Sequence, residues 1–170
     1  MLSRQSSLKK LPLKANTQRA QRALALQLLY AIDRSNYELG AQEAIDLFLE
    51  NYNVEIDSDA FAVDMVHGVV SKNEIMEEII AKFSANWKTE RIGCVTKLII
   101  KMALWEILES RNPIKVIIDQ AVELSKSFCE KDSYKFINGL LDKFSKSLEA
   151  DGSEVVESEK QFEEQEVTEV

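Results

Sequence analysis

The sequence contains one histidine and two cysteines, Cys94 and Cys129, among its 170 residues. Two cysteines do not make a disulfide scaffold, and with a single histidine they cannot supply the four ligands of a structural zinc site. Five glycines and two prolines are too few for a turn-dense all-β fold. Because these histidine and cysteine ligands are too few, we expect no metal. No apolar run approaches the roughly 18–20 residues that span a bilayer, so we also expect no membrane-spanning segment.

Motifs that are typical of enzymes are also missing. The sequence has no glycine-rich phosphate loop, no G-x-S-x-G and no H-E-x-x-H. Its one histidine, His67, follows Met65 and Val66, and a lone histidine in such a helix is more often structural than catalytic. We therefore predict no catalytic residues, no cofactor and a protein that is not an enzyme.

The net charge of −8 is unevenly distributed along the chain. Residues 1–32 contain six basic side chains and no acidic one, whereas residues 150–170 contain eight acidic side chains and one lysine. The basic residues are Arg4, Lys9, Lys10, Lys14, Arg19 and Arg22. Such an arm can neutralise several phosphates of a nucleic acid. An organelle transit peptide is the alternative, but Pro12 would interrupt its amphipathic helix.

Apolar residues recur at helical spacing along most of the chain, and no strand-like alternation stands out. The predicted fold class is all-α, with about six or seven helices between a flexible basic N-terminal arm and a disordered acidic C-terminal tail. Helices are expected over roughly residues 18–33, 39–52, 58–83, 95–109, 115–128 and 133–149. Asn16 or Thr17 is suited to cap the first helix, Ser58 or Asp59 the third, and Asp132-Ser133 the last.

These helices define the predicted organisation of the chain. Residues 1–15 form the arm, and residues 16–149 form the helical domain, with halves at roughly 16–86 and 87–149. Residues 150–170 contain too few apolar side chains to order themselves. The tail is either a solubilising segment or an acidic competitor that folds back on the basic arm and displaces RNA.

Two further patterns point to nucleic acid. Lys97, Lys101 and Trp105 lie at i, i+4 and i+8, and cations with an aromatic on one face suit single-stranded RNA. The structural alternative is a solvated edge with Trp105 packed inward. Lys135-Phe136 begins the last helix, and Phe136 lies about 100° from the apolar stripe that begins one residue later. It is therefore either exposed, as an interaction hot spot, or packed against a loop.

The residues from Pro113 to Phe128 and from Asp132 to Lys143 resemble the NusB family. The second run follows the pattern D-S-x-K-F-[VI]-N-G-[VL]-L-D-K, and the resemblance covers roughly residues 18–146. It implies an all-α fold of two three-helix bundles and a cytoplasmic, non-catalytic function in transcription antitermination. NusB proteins pair with NusE, a small-subunit ribosomal protein. The pair binds the boxA element of nascent ribosomal RNA transcripts and loads an antitermination complex on RNA polymerase.

The basic arm and the resemblance together predict the site residues. Those predicted to bind RNA are Lys9, Lys10, Lys14, Arg19, Arg22, Tyr30, Lys97, Lys101 and Lys135. Those predicted to bind the protein partner are Trp105, Asp132 and Phe136. The match is uneven, because the arginine-rich motif of the family is diluted around Arg19 and Arg22, and Thr96 stands where the family usually has an acid.

Two other functions stay open. A helical adaptor that binds NusE with little or no RNA selectivity would agree with the diluted arginines and Thr96. The same fold also precedes the catalytic domain of some ribosomal RNA cytosine methyltransferases, but we expect no cofactor-binding domain here. The sequence leaves open whether the resting state is a monomer or a homodimer.

Overall fold

The computed structural model describes residues 17–52, 60–84 and 92–166, with side chains described as far as Ala150 except for Tyr52. In these ranges the chain forms seven α-helices and no strand, which confirms the predicted all-α class. The helices are α1 (Gln18–Arg34), α2 (Ala41–Tyr52), α3 (Phe61–Ser71), α4 (Asn73–Phe83), α5 (Cys94–Leu108), α6 (Ile114–Phe128) and α7 (Ser133–Glu166). No helix in the described ranges combines the length and apolarity needed to cross a membrane.

The helix predicted over residues 58–83 is two helices, α3 and α4. Lys72 interrupts it with φ −107° and ψ 17°, outside the helical region. The Ser71 hydroxyl donates a hydrogen bond to the Gly68 carbonyl at 3.0 Å, and such a local bond competes with helical continuation. Ala60 is the N-cap of α3 and supplies no side-chain bond, whereas Ser58 and Asp59 lie outside the described residues.

The first compact unit ends at Asn73, and in it α1 contacts α2 and α3, which also contact each other. Thr17 is the N-cap of α1, as predicted, and its hydroxyl oxygen accepts a bond from the Ala20 N–H at 3.2 Å. The Gln21 side-chain oxygen accepts from the Ala62 N–H at 2.9 Å, so α1 satisfies a donor in the first turn of α3.

The second compact unit begins at Glu74. The predicted halves at roughly 16–86 and 87–149 stay a prediction. Helix α4 falls in this unit because its side chains pack there: the rings of Phe83 and Phe144 meet edge to face with centroids 5.6 Å apart. Helices α5, α6 and α7 contact one another. Every residue from Leu98 to Ile107 is buried, so α5 is the central helix of the unit.

Helix α7 continues along the backbone to Glu166, well into the acidic segment. The disordered acidic tail over residues 150–170 stays a prediction. Three of the predicted RNA-binding residues, Lys9, Lys10 and Lys14, lie outside the described residues.

Candidate RNA and partner interface

The two arginines of α1 have different surroundings. Arg19 is exposed, whereas only 4% of Arg22 is exposed and its guanidinium lies 5.2 Å from the centroid of the Phe61 ring. Arg22 therefore packs α1 onto α3 through a cation–π contact. The guanidinium of Arg22 is buried in this packing, and its assignment to RNA binding stays a prediction. Tyr30, by contrast, has 44% of its surface exposed and lies open to solvent on the same helix.

Lys97 and Lys101 of α5 both pair with Glu77 of α4. The Lys101 ammonium lies 2.6 Å from Oε1 of Glu77, and the Lys97 ammonium lies 3.5 Å from Oε2. The Lys101 side chain is 2% exposed, whereas that of Lys97 is 36% exposed. Lys101 is thus a buried ion-pair residue, and of the two lysines only Lys97 reaches solvent. The assignment of Lys101 to RNA binding stays a prediction.

The Glu77 carboxylate carries the negative charge that both Lys97 and Lys101 contact. Burial alone would raise the pKa of Glu77, but the hydrogen bond and charge of Lys101, with smaller contributions from Lys97, lower the pKa below its usual range. The carboxylate therefore stays ionised and offsets the charge of the buried ammonium. Sequence reasoning missed Glu77, because this residue precedes its partners by roughly twenty residues and helical spacing does not link residues on different helices.

Trp105 is 2% exposed, and the guanidinium of Arg111 lies 5.1 Å from its ring centroid. It packs inside the second unit, and its assignment as a partner-binding residue stays a prediction. Because α5 is apolar on nearly all sides, spacing alone could not show which face meets solvent. The carboxylate of the adjacent Glu106, also buried, accepts a hydrogen bond from the Asn112 side chain at 3.1 Å.

The start of α7 brings a cation and an acid to the surface. Asp132 has a left-handed backbone with φ 74°, and its Oδ1 lies 2.9 Å from the Lys135 ammonium. The side chains of Asp132 and Lys135 are 56% and 60% exposed. The hydrogen bond and charge of Asp132 raise the pKa of Lys135. The ammoniums of Lys126 and Lys135 also lie 5.8 and 5.9 Å from the centroid of the Tyr134 ring.

Phe136 is 7% exposed and belongs to the core. Of the two possibilities that the sequence left open, packing is therefore correct and exposure is wrong. Asp132 and Lys135 are on the surface, where they can meet a partner.

Comparisons with known proteins agree with this fold. The NusB family model matches residues 19–146. The transcription antitermination protein NusB of Halothermothrix orenii is 40% identical over 129 residues, which cover 75% of this chain and 95% of that protein. The protein of the same name from Macrococcus caseolyticus is 34% identical over 123 residues, covering 72% and 92%.

A solved structure of T. maritima NusB is similar in fold, with a TM-score of 0.66 and 24% sequence identity. The similarity covers 76% of this chain and 91% of that one. The family match extends over most of the chain, and the two curated relatives are aligned over nearly their whole length. The chain belongs to the NusB family.

Proposed function

We propose that this chain is a cytoplasmic transcription antitermination factor that pairs with NusE and, with it, binds boxA-type single-stranded RNA in ribosomal RNA transcripts. The single observation that carries the proposal is the family match over residues 19–146. Relatives that are aligned over nearly their full length are named for transcription antitermination. We therefore propose a function in binding and not in catalysis.

The side chains at the surface support RNA as a ligand. In the first unit, Arg19 supplies an exposed cation and Tyr30 an exposed ring on the same helix. In the second unit, Lys135 is exposed beside Asp132. Unstacked bases of single-stranded RNA pack on aromatic rings, and its phosphates require cations. We propose Arg19, Tyr30, Lys97 and Lys135 as RNA-binding residues and Asp132 as a partner-binding residue.

A second function, a NusE-binding adaptor with little or no RNA selectivity, is favoured by one group of observations. Arg22 and Lys101 are buried, and Lys97 and Lys135 are each paired with a carboxylate. These contacts leave fewer uncompensated cations in the described part of the chain than the sequence suggested. RNA binding in the presence of NusE distinguishes the two functions.

Charge reversal at Arg19 tests the RNA-binding function. Arg19→Glu is expected to weaken binding to boxA-type and scrambled RNA alike, because phosphate contacts carry no sequence information. It should also flatten the salt dependence, since each lost phosphate contact on a single strand changes the slope of log K against log salt by about 0.7. Fluorescence anisotropy of labelled RNA with NusE present, over a salt series, measures both effects.

Lys115→Glu is the matched control for that experiment, because Lys115 is an exposed cation on α6 that no proposed contact uses. Its slope should equal that of the wild type. If Arg19→Glu also kept the wild-type slope, Arg19 would not contact phosphate. NusE binding without any RNA binding by the wild type would establish the adaptor instead.

Phe136→Leu tests whether Phe136 is structural. Because the side chain is buried, this near-conservative change is expected to lower the free energy of unfolding by about 1 kcal/mol. Binding to NusE and RNA should be unchanged. Urea denaturation measures the first effect, and anisotropy the second. Lost NusE binding with a wild-type unfolding midpoint would instead place Phe136 in the interface.

A further inference from the structure

Helix α7 is much longer than the two helices on which it packs. It has 34 residues, whereas α5 and α6 have 15 each. At a rise of about 1.5 Å per residue, α7 is about 51 Å long and its two neighbours are about 22 Å long. Neither neighbour can therefore cover the C-terminal part of α7, residues 151–166, which we call the α7 extension. The family match ends at residue 146, before this extension begins.

The buried stripe of α7 is continued in register by the sequence of the extension. Leu141 and Phe144 are buried, whereas Leu148, on the same side of the helix, is 38% exposed. The apolar stripe thus reaches solvent at Leu148. Val155 and Phe162 follow Leu148 at intervals of seven residues, which places the three positions within an arc of about 40°. Apolar residues at this interval are the pattern by which one helix packs along another.

Acidic positions flank this continued stripe on both sides. Residues 151–166 contain seven acidic residues and one lysine, which is a net charge of −6. Asp151 and Glu159 stand four residues before and four residues after Val155, about 40° to either side of it around the helix axis. A helix that packed along Val155 and Phe162 would bring its own flanking residues next to these acids. Lysine or arginine at those flanking positions would form ion pairs, as in a coiled coil.

The charge of the extension decides which kind of helix can cover the stripe. The last turn of α7 has no basic residue, and the glutamates there interact unfavourably with the helix dipole, so a cation from a partner would stabilise it. A second copy of the extension would add the same negative charge and be repelled. The chain's own basic arm contains Pro12, which would interrupt a helix. A cationic helix of another protein satisfies both the charge and the apolar register.

We propose that the α7 extension is a docking helix for a basic amphipathic helix of a partner protein. Val155 and Phe162 pack along the apolar stripe of that partner, and the acidic residues beside them pair with its lysines or arginines. This docking role is independent of the proposed function, because it uses residues outside the family match and requires no RNA. Attraction between opposite charges alone is the competing explanation, and it does not depend on which valine faces the partner.

A designed peptide tests the docking of a basic helix to the full-length chain. The probe is a labelled helix of about three heptads with leucine at positions a and d and lysine at e and g, used at a concentration where it is monomeric. The control probe has the same composition in scrambled order, so that its leucines share no face. Fluorescence anisotropy is expected to show binding to the heptad probe that is tighter by on the order of tenfold. Deleting residues 151–170 should abolish this difference.

Two neighbouring valines separate packing from charge. Val155→Ser removes an apolar residue from the stripe and is expected to weaken binding to the heptad probe by on the order of tenfold. Val156→Ser is the matched control, because position 156 lies about 100° away around the helix and the change is chemically identical. It should bind the probe as the wild type does. Both positions lie beyond the family match, so the urea unfolding midpoint should be unchanged in both variants.

Several results would overturn the docking role. Equal affinity for the two probes, or equal effects of the two valine substitutions, would leave charge attraction alone. Wild-type affinity after deletion of residues 151–170 would place the binding elsewhere, and a heptad probe that does not bind would exclude a helix of this chemistry. A chain that gives any of these results can still bind boxA-type RNA with NusE, so failure of the docking role and failure of the proposed function are distinguishable.

Discussion

Replacing Trp105 with alanine is expected to lower the free energy of unfolding by about 4 kcal/mol, in the range typical of large aromatic-to-alanine changes in a core. The side chain is 2% exposed on the central helix of the second unit, so its removal leaves a cavity that the surrounding helices cannot fill. The change also removes the ring beneath the Arg111 guanidinium. Urea denaturation followed by circular dichroism measures the loss.

Leu108→Ala is the matched control, because Leu108 ends the same helix but is 39% exposed. Leu108→Ala should lower the free energy of unfolding by much less than Trp105→Ala, because a partly exposed side chain has less buried apolar surface to lose. A Trp105→Ala protein with the wild-type unfolding midpoint and no NusE binding would show that Trp105 belongs to the partner surface after all.

Glu77→Gln is expected to destabilise the chain by about 3 kcal/mol. It removes the carboxylate that lies 2.6 Å from the buried Lys101 ammonium, and removing one partner of a buried ion pair typically costs about 3–5 kcal/mol. The lower end of that range applies, because the Glu77 side chain is itself 42% exposed and water can replace part of the lost interaction. Glu78→Gln, on the exposed side of the same helix, should change stability by less than about 0.5 kcal/mol.

The contribution of Glu77 to the free energy of unfolding should decrease at acid pH. The pKa of Glu77 is lower in the folded chain than its ordinary value of 4.5. Its contribution to stability is therefore fully present above pH 4.5 and is lost as the pH falls through the lowered pKa. The difference in unfolding free energy between the wild type and Glu77→Gln should shrink below pH 4.5, and a difference that stayed constant to pH 3 would contradict this ion pair.

Local sequence signals predicted the helices well. The N-cap at Thr17 could be predicted because a threonine in the sequence precedes the start of the apolar helical pattern. Its hydroxyl oxygen accepts a hydrogen bond from the N–H three residues later. The break at Lys72 was missed because the apolar series continues across it, from Val69 to Met76 and Ile80, all of them buried. A one-residue interruption changes the path of the chain without changing the hydrophobic pattern.

The candidate site was harder to predict, because burial depends on contacts between distant residues. The spacing of Lys101 and Trp105 is equally consistent with an inward or an outward face on a helix that is apolar all round. Glu77 on another helix compensates the buried charge of Lys101, and the Phe61 ring contacts the buried guanidinium of Arg22. No periodicity within one helix contains that information. Arg19 and Tyr30, whose neighbours on α1 fix their face, are exposed.

The most direct test is fluorescence anisotropy of a labelled boxA-type single-stranded RNA against the wild-type chain, with and without NusE, beside a scrambled RNA and over a salt series. We expect selective binding to the boxA-type RNA that NusE strengthens and that weakens with salt by about 0.7 in log–log slope for each phosphate engaged. Equal affinity for the scrambled RNA, or binding to NusE with no binding to RNA, would contradict the proposal that this chain reads single-stranded RNA.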